Sequence, residues 1–221
     1  MPIRKPWYLA TALLASTLYA QSTATVENPT VRVLNAVDHP HQKTALHKHD
    51  FNRVMIYLTA GDLDVTTEDG HTDHQHWKAG DVAWSPAGPL HVSENVGTAD
   101  LRIVEIEIKK PAPATGPTRN PKLDAVVIDA AHNKLIYENP QVRVFRSTRE
   151  SGGREKWHEH VGAGRAVVLL TPLSGRVEVP NGQASPLNGG PGDVFWSDGP
   201  VKHRGSNIGS KASEIVIVEV K

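Results

Sequence analysis

The chain has 221 residues, with 24 Lys+Arg against 24 Asp+Glu, 12 His and no Cys. A balanced charge with no basic stripe excludes a polyanion-binding protein, so no nucleic-acid partner is expected. The lack of Cys excludes disulfide staples, thiolate metal ligands and a lipid-anchored cysteine, while 38% apolar residues is ordinary for a globular chain that buries real cores.

Residues 1–24 read as an export signal. Arg4 and Lys5 precede an apolar run from Trp7 to Ala20 that is too short to span a bilayer, and small residues follow it. Cleavage after Ala20 or after Ala24 is expected. Either cut removes two cations and leaves a charge of about minus two. The mature protein is expected to be periplasmic or secreted, with no membrane attachment.

Beyond the signal, alternating β-branched runs follow at short spacing: Val31 to Val37, Val54 to Leu58, Leu63 to Thr67, Leu101 to Ile108, Val142 to Phe145, Ala166 to Leu170, Arg176 to Val179 and Glu214 to Val220. Period-two runs of this length predict an all-β sandwich or barrel, and no long amphipathic helix is present. Asp69-Gly70 and Asn181-Gly182 predict two-residue hairpin turns of type I′.

The chain repeats itself. Glu27-Asn28-Pro29-Thr30-Val31-Arg32-Val33 returns as Glu138-Asn139-Pro140-Gln141-Val142-Arg143-Val144. Each copy is followed by a His-x-His pair, a Gly-Asp-Val and a lone His four residues before an Asn. The offset is 111 at the His pairs, 112 at Gly80 and Gly192, 112 at the lone histidines and 114 between Val104-Glu105 and Val218-Glu219. A steady register with small drifts indicates duplication of a whole domain. The stretch Pro111 to Pro121 is too rich in Pro, Thr and Gly for a strand ladder and suits a linker. The expected division is therefore a first domain over 25–110, a linker over 111–121 and a second domain over 122–221, with Ala125 to Ile128 as a strand.

Alternate residues of a strand share a face, so His47 and His49 point together, as do His158 and His160. A third imidazole from a distant strand, His91 or His203, can join each pair on one ion. The surrounding residues match a named pattern. Gly80, Pro86, Gly88, His91 and Asn95 fit the second cupin motif, and His47-x-His49 with Gly61 resembles the first. The second copy is looser, with Asp198 for the motif proline and Pro200 for its glycine. The chain thus resembles a bicupin: all-β, two tandem cupin double-stranded β-helix (jelly-roll) barrels. The resemblance implies a divalent metal, Fe, Mn or Zn, held by His47, His49 and His91 in one barrel and by His158, His160 and His203 in the other.

The family's fourth ligand is a Glu, and here an arginine stands at or beside that position twice, as Arg53 and Arg165. Guanidinium has no lone pair and stays protonated. About 4 Å from a divalent ion it would be repelled by roughly 2–8 kcal/mol. Three readings follow: the arginine turns away, the ion is absent, or the arginine clamps an anionic ligand of the metal. Glu94 and Glu105 are candidate partners for Arg53, and Glu219 for Arg165. The expected function is a metal-dependent bicupin acting on a small anionic molecule, by dioxygenase or isomerase chemistry if it is an enzyme. The alternative is a non-catalytic binding, storage or structural protein with vestigial triads, and a homo-oligomer is compatible with either. Asn95 and Asn207 are expected to hold a loop, and Trp84 and Trp196 to pack in the core.

Overall fold

The computed structural model describes residues 21–221, so the expected signal segment through Ala20 lies outside the described residues. The first half contains β1 (Gln21–Glu27), β2 (Val31–Asp38), β3 (Asn52–Tyr57), β4 (Gly61–Thr67), β5 (Thr72–Trp77), β6 (Val82–Ser85), β7 (His91–Asn95) and β8 (Leu101–Ile108). The second contains α1 (Ala125–Ile128), β9 (Asn133–Glu138), β10 (Val142–Arg149), β11 (His158–His160), β12 (Gly164–Leu169), β13 (Leu173–Glu178), β14 (Ala184–Gly189), β15 (Val194–Asp198), β16 (Val201–Asn207) and β17 (Ser213–Val220).

Each half folds into two antiparallel sheets. In the first half the orders are β1-β2-β8-β3-β6 and β5-β4-β7; in the second they are β15-β12-β17-β10-β9 and β11-β16-β13-β14. The two five-stranded sheets face each other, and this is why their central strands are apolar on one side and mixed on the other. Val31, Val33, Val54, Ile56, Val104, Ile106 and Ile108 form one buried cluster with Val142, Val144, Ala166, Val168, Val216, Val218 and Val220. Burying a side chain of this kind contributes about 1.5–3 kcal/mol, so this layer joins the halves into one unit. The opposite faces of the same strands line the barrel interiors.

The halves also grip each other reciprocally. Asn35 Nδ2 donates to the Gly192 carbonyl at 3.3 Å, and the equivalent Arg146 donates to the Gly80 carbonyl and to Glu214. Gly80 and Gly192 both have left-handed backbones, φ 88° and 93°. A Cβ on Gly192 would meet Leu58 at 2.9 Å. The Gly-Asp-Val turn of each copy is therefore a contact surface for the other copy. Tyr137 of β9 stacks on Trp84 of β6 at 5.8 Å, and both Trp84 and Trp196 pack against the shared core.

Three local expectations are corrected. Ala125–Ile128 is a short helix rather than a strand, because Asp124 caps it by accepting from Val126 N at 3.0 Å. The hairpins at 70 and 182 are not type I′. Only the glycines are left-handed, and Gly70 N and Gly182 N bond the carbonyls of Thr67 and Val179, a four-residue turn ending on glycine. The register of β8 and β17 is the third. Arg32 faces Glu107 and Arg143 faces Glu219; Arg53 faces Glu107 and Arg165 faces Glu219. The offset there is 112, so Glu219 corresponds to Glu107, and the position of Glu105 is filled by Ile217.

Candidate metal centres

In the second barrel His158 and His160 lie on β11 and pair with β16, with His158 directly opposite His203. In the first barrel the His-x-His segment is outside any strand; an isolated bridge between His47 and His91 brings it to the same place. The nitrogen atoms of His47, His49 and His91 lie within 4.8 Å of one another, as do those of His158, His160 and His203. The first triad is half-buried at the wall of a cavity of about 760 Å³, and the second is buried beside one of about 450 Å³.

Proton positions follow from the partners. Nδ1 of His47 donates to the Ala45 carbonyl at 2.8 Å and Nδ1 of His91 to the Pro89 carbonyl at 3.0 Å, which turns both Nε2 lone pairs to the triad centre. His158 Nδ1 donates to the Lys156 carbonyl at 2.9 Å, and His160 Nδ1 to Glu219 at 2.7 Å. With Glu219 ionised beside Arg119, the two Nε2 atoms face each other at 3.1 Å with lone pairs on both. Such an arrangement calls for a shared cation, and imidazole nitrogen is a good donor to zinc, iron and manganese ions alike. Glu219 orients its histidine as a supporting carboxylate would. Its first-barrel counterpart Glu107 stands 3.9 Å from His49 Nδ1.

The third imidazole of each triad meets the arginine. Arg53 Nη1 lies 2.7 Å from His49 Nε2, and Arg165 Nη2 lies 2.8 Å from His203 Nδ1. A guanidinium can only donate, so each arginine occupies a lone pair that a metal would use. The residues fit a metal held by three histidines on condition that this one bond is given up.

Burial favours the neutral form of four of the six imidazoles, as ligation requires. It pushes His49 down to about 3, with Arg53 adding to the effect. His91 is lowered by burial as well, and His160 and His203 strongly so, again with Arg165 assisting. Arg165 itself is lowered to about 10 by burial.

The arginines differ in everything else they touch. Arg53 Nη1 also bonds Glu105 at 2.7 Å, and Nη2 bonds Ser85 at 2.9 Å. Arg165 has no carboxylate within ion-pair distance among the described residues, and its Nε and Nη1 are buried without partners there. Of the expected partners, Glu105 is the one that pairs with Arg53; Glu94 pairs with Lys43, and Glu219 with His160 and Arg119. Arg119, from the expected linker, reaches Glu219 at 2.7 Å, a contact with no motif to announce it.

The interiors differ in size for a local reason. Phe145 projects into the second barrel and stacks on His160 at 6.0 Å, where the first has Leu34. The first barrel instead lines its wall with Tyr57 stacked on Trp77 at 4.0 Å. At the far end, Asn95 and Asn207 each bridge two backbone carbonyls and a loop N–H, as expected of loop anchors. His39, His74 and His76 lie on the outer surface, each paired with an aspartate.

No protein-family model matches the sequence, and no curated protein matches it. Solved structures do match in shape. AerE from Microcystis aeruginosa aligns over 92% of this chain and 97% of its own, with TM-score 0.62 and 13% identity. A variant of Bacillus subtilis oxalate decarboxylase, a protein with Mn(II) centres, aligns over 90% of this chain and 72% of its own, with TM-score 0.64 and 12% identity. A cupin 2 conserved barrel domain protein from Leptotrichia buccalis aligns over 94% and 91%, with TM-score 0.54 and 13% identity. Likeness at this identity speaks to fold. With the duplicated sheets and triads, it makes the chain a tandem cupin in fold, two jelly-roll barrels in one polypeptide.

Proposed function

We propose that this is an exported tandem cupin in which each barrel holds one divalent ion on three histidines and receives a small anionic molecule beside it. The observation that carries the reading is the pair of converging triads, with His158 Nε2 and His160 Nε2 facing each other at 3.1 Å. His47, His49 and His91 would hold one ion, and His158, His160 and His203 the other. A bound ion would act as a Lewis acid and leave coordination positions open to a ligand. The chain's own residues do the rest: Glu219 fixes the ring of His160, the apolar walls exclude water, and Arg165, which pairs with no carboxylate among the described residues, supplies the positive charge that meets an anion. Dioxygenase or isomerase chemistry is compatible with this arrangement.

Loading purified protein with Mn(II), Fe(II) or Zn(II), followed by dialysis and elemental analysis, tests it. Close to two equivalents per chain are expected in the wild type, and one fewer in each of His49→Ala and His160→Ala. Less than about a tenth of an equivalent in the wild type overturns it. A second reading, a non-catalytic anion-binding protein with vestigial triads, is favoured by the arginine bonds to His49 and His203, and predicts that low metal content.

Export is part of the proposal. β1 starts at Gln21, and Gln21 to Ala24 pair with Val37 to Leu34. A cut after Ala20 keeps that ladder and a cut after Ala24 removes it, so the mature N-terminus is expected at Gln21. N-terminal sequencing of protein recovered from the periplasm or medium checks this.

A further inference from the structure

Arg53 on β3 and Arg165 on β12 are equivalent, each facing a barrel interior and each giving an N–H to a triad histidine. The duplication makes the first barrel a comparison for the second. In the first, Arg53 Nη1 meets the Glu105 carboxylate at 2.7 Å. In the second, Ile217 stands at that position, and Arg165 Nη1 has no partner among the described residues. Arg165 is 6% exposed and lines a cavity of about 450 Å³ together with Leu173, Leu187, Phe195 and Ile217.

The neighbouring carboxylates are committed elsewhere. Glu155 pairs with Arg149 and accepts from Gly205 N, and Glu219 is held by His160 and Arg119. A buried cation left in this state is costly, and an anion that enters the cavity relieves it.

We propose that the second barrel binds a small carboxylate, its carboxyl group resting on Arg165 as the Glu105 carboxyl rests on Arg53, and its hydrocarbon part lying against Ile217, Leu173, Leu187 and Phe195. One guanidinium calls for one negative charge, and the apolar walls favour a carboxylate with a short hydrocarbon chain over an inorganic oxyanion. This deepens the anion half of the function proposed above and is independent of its metal half, because the partner is a guanidinium.

The test is thermal unfolding of the chelator-treated full-length mature protein at pH 7, with propionate replacing chloride at constant ionic strength. The wild-type Tm is expected to rise by about 3 °C or more per tenfold increase in propionate above its Kd. Ile217→Glu supplies the missing carboxylate from within. It is expected to raise the Tm in chloride and to abolish the propionate response. Arg165→Met removes the buried charge and is expected to abolish the response as well. The two variants change the charge in opposite senses, so either one that folds suffices. Sulfate is expected to act like chloride.

No propionate response in the wild type overturns the inference, as does a wild-type response in either variant. Because metal is absent throughout, a failed metal stoichiometry leaves this result standing. Two equivalents of metal with no propionate response sinks this inference alone.

Discussion

The two barrels share a backbone plan and place their buried charges in opposite ways. Near the triad, Arg53 of the first barrel is neutralised by Glu105, whereas Arg165 of the second faces Ile217. At the far end of the neighbouring strand, β2, the first barrel buries Asp38 with no cation within ion-pair distance among the described residues, and the second has Arg149 at the same place on β10, paired with Asp129 and Glu155. Each barrel thus has one compensated and one uncompensated end. Duplication preserved the histidines and the shared core and let the interior charges diverge. Where the charge is uncompensated, a ligand or a proton has something to do.

The largest expected effect lies at the compensated pair. Glu105→Gln leaves Arg53 buried and unpaired and should destabilise the fold by about 3–5 kcal/mol in denaturant unfolding. Ile217→Val, at the equivalent place, should cost about 0.5–1.5 kcal/mol. Equal costs would erase the comparison.

The interface layer should show no such asymmetry. Ile106→Ala is expected to cost about 2–5 kcal/mol and, because the layer is shared, to lower a single transition seen alike by tryptophan fluorescence and far-UV circular dichroism. Two separated transitions would show that the barrels unfold independently.

Asp38 gives a smaller effect with a defined pH signature. Burial, with Glu105 nearby, raises it to about 6. A carboxyl whose folded value exceeds its unfolded one favours the folded state below about 4 and loses that contribution as pH rises through 6. Asp38→Asn should therefore stabilise the protein at pH 8 by on the order of 2 kcal/mol and change little below pH 4. His49, lowered to about 3, works the other way: its neutral form favours the folded state above about 6.5, and that contribution is lost as pH falls towards 3. Unfolding curves for Asp38→Asn and the wild type at both pH extremes separate the two.

The sequence made the duplication, the eight main strands, both triads and both arginines legible, since period-two patterns and His-x-His spacing survive without structure. It did not reveal which glutamate pairs with Arg53 or the partnerless state of Arg165. Leu101 to Ile108 and Glu214 to Val220 both alternate, and a slip of two residues keeps every side chain on the same face. Matching Val-Glu to Val-Glu therefore equated Glu105 with Glu219, and only the ladder with β2, β3, β10 and β12 corrects it. Arg119 was hidden for a different reason: its role depends on where a Pro-rich segment runs, which no periodicity encodes. The helix at Ala125–Ile128 follows from a single capping aspartate against apolar residues with strand propensity.

Each arginine sits on a lone pair that a metal would need. Zn(II) affinity of the His47, His49, His91 site in Arg53→Met reads this out, in a background carrying His160→Ala to silence the other barrel. Loss of the competing donor and of the cation's repulsion, with Glu105 released, predicts binding at least about tenfold tighter than with Arg53 present. Unchanged or weaker affinity in Arg53→Met would contradict the account.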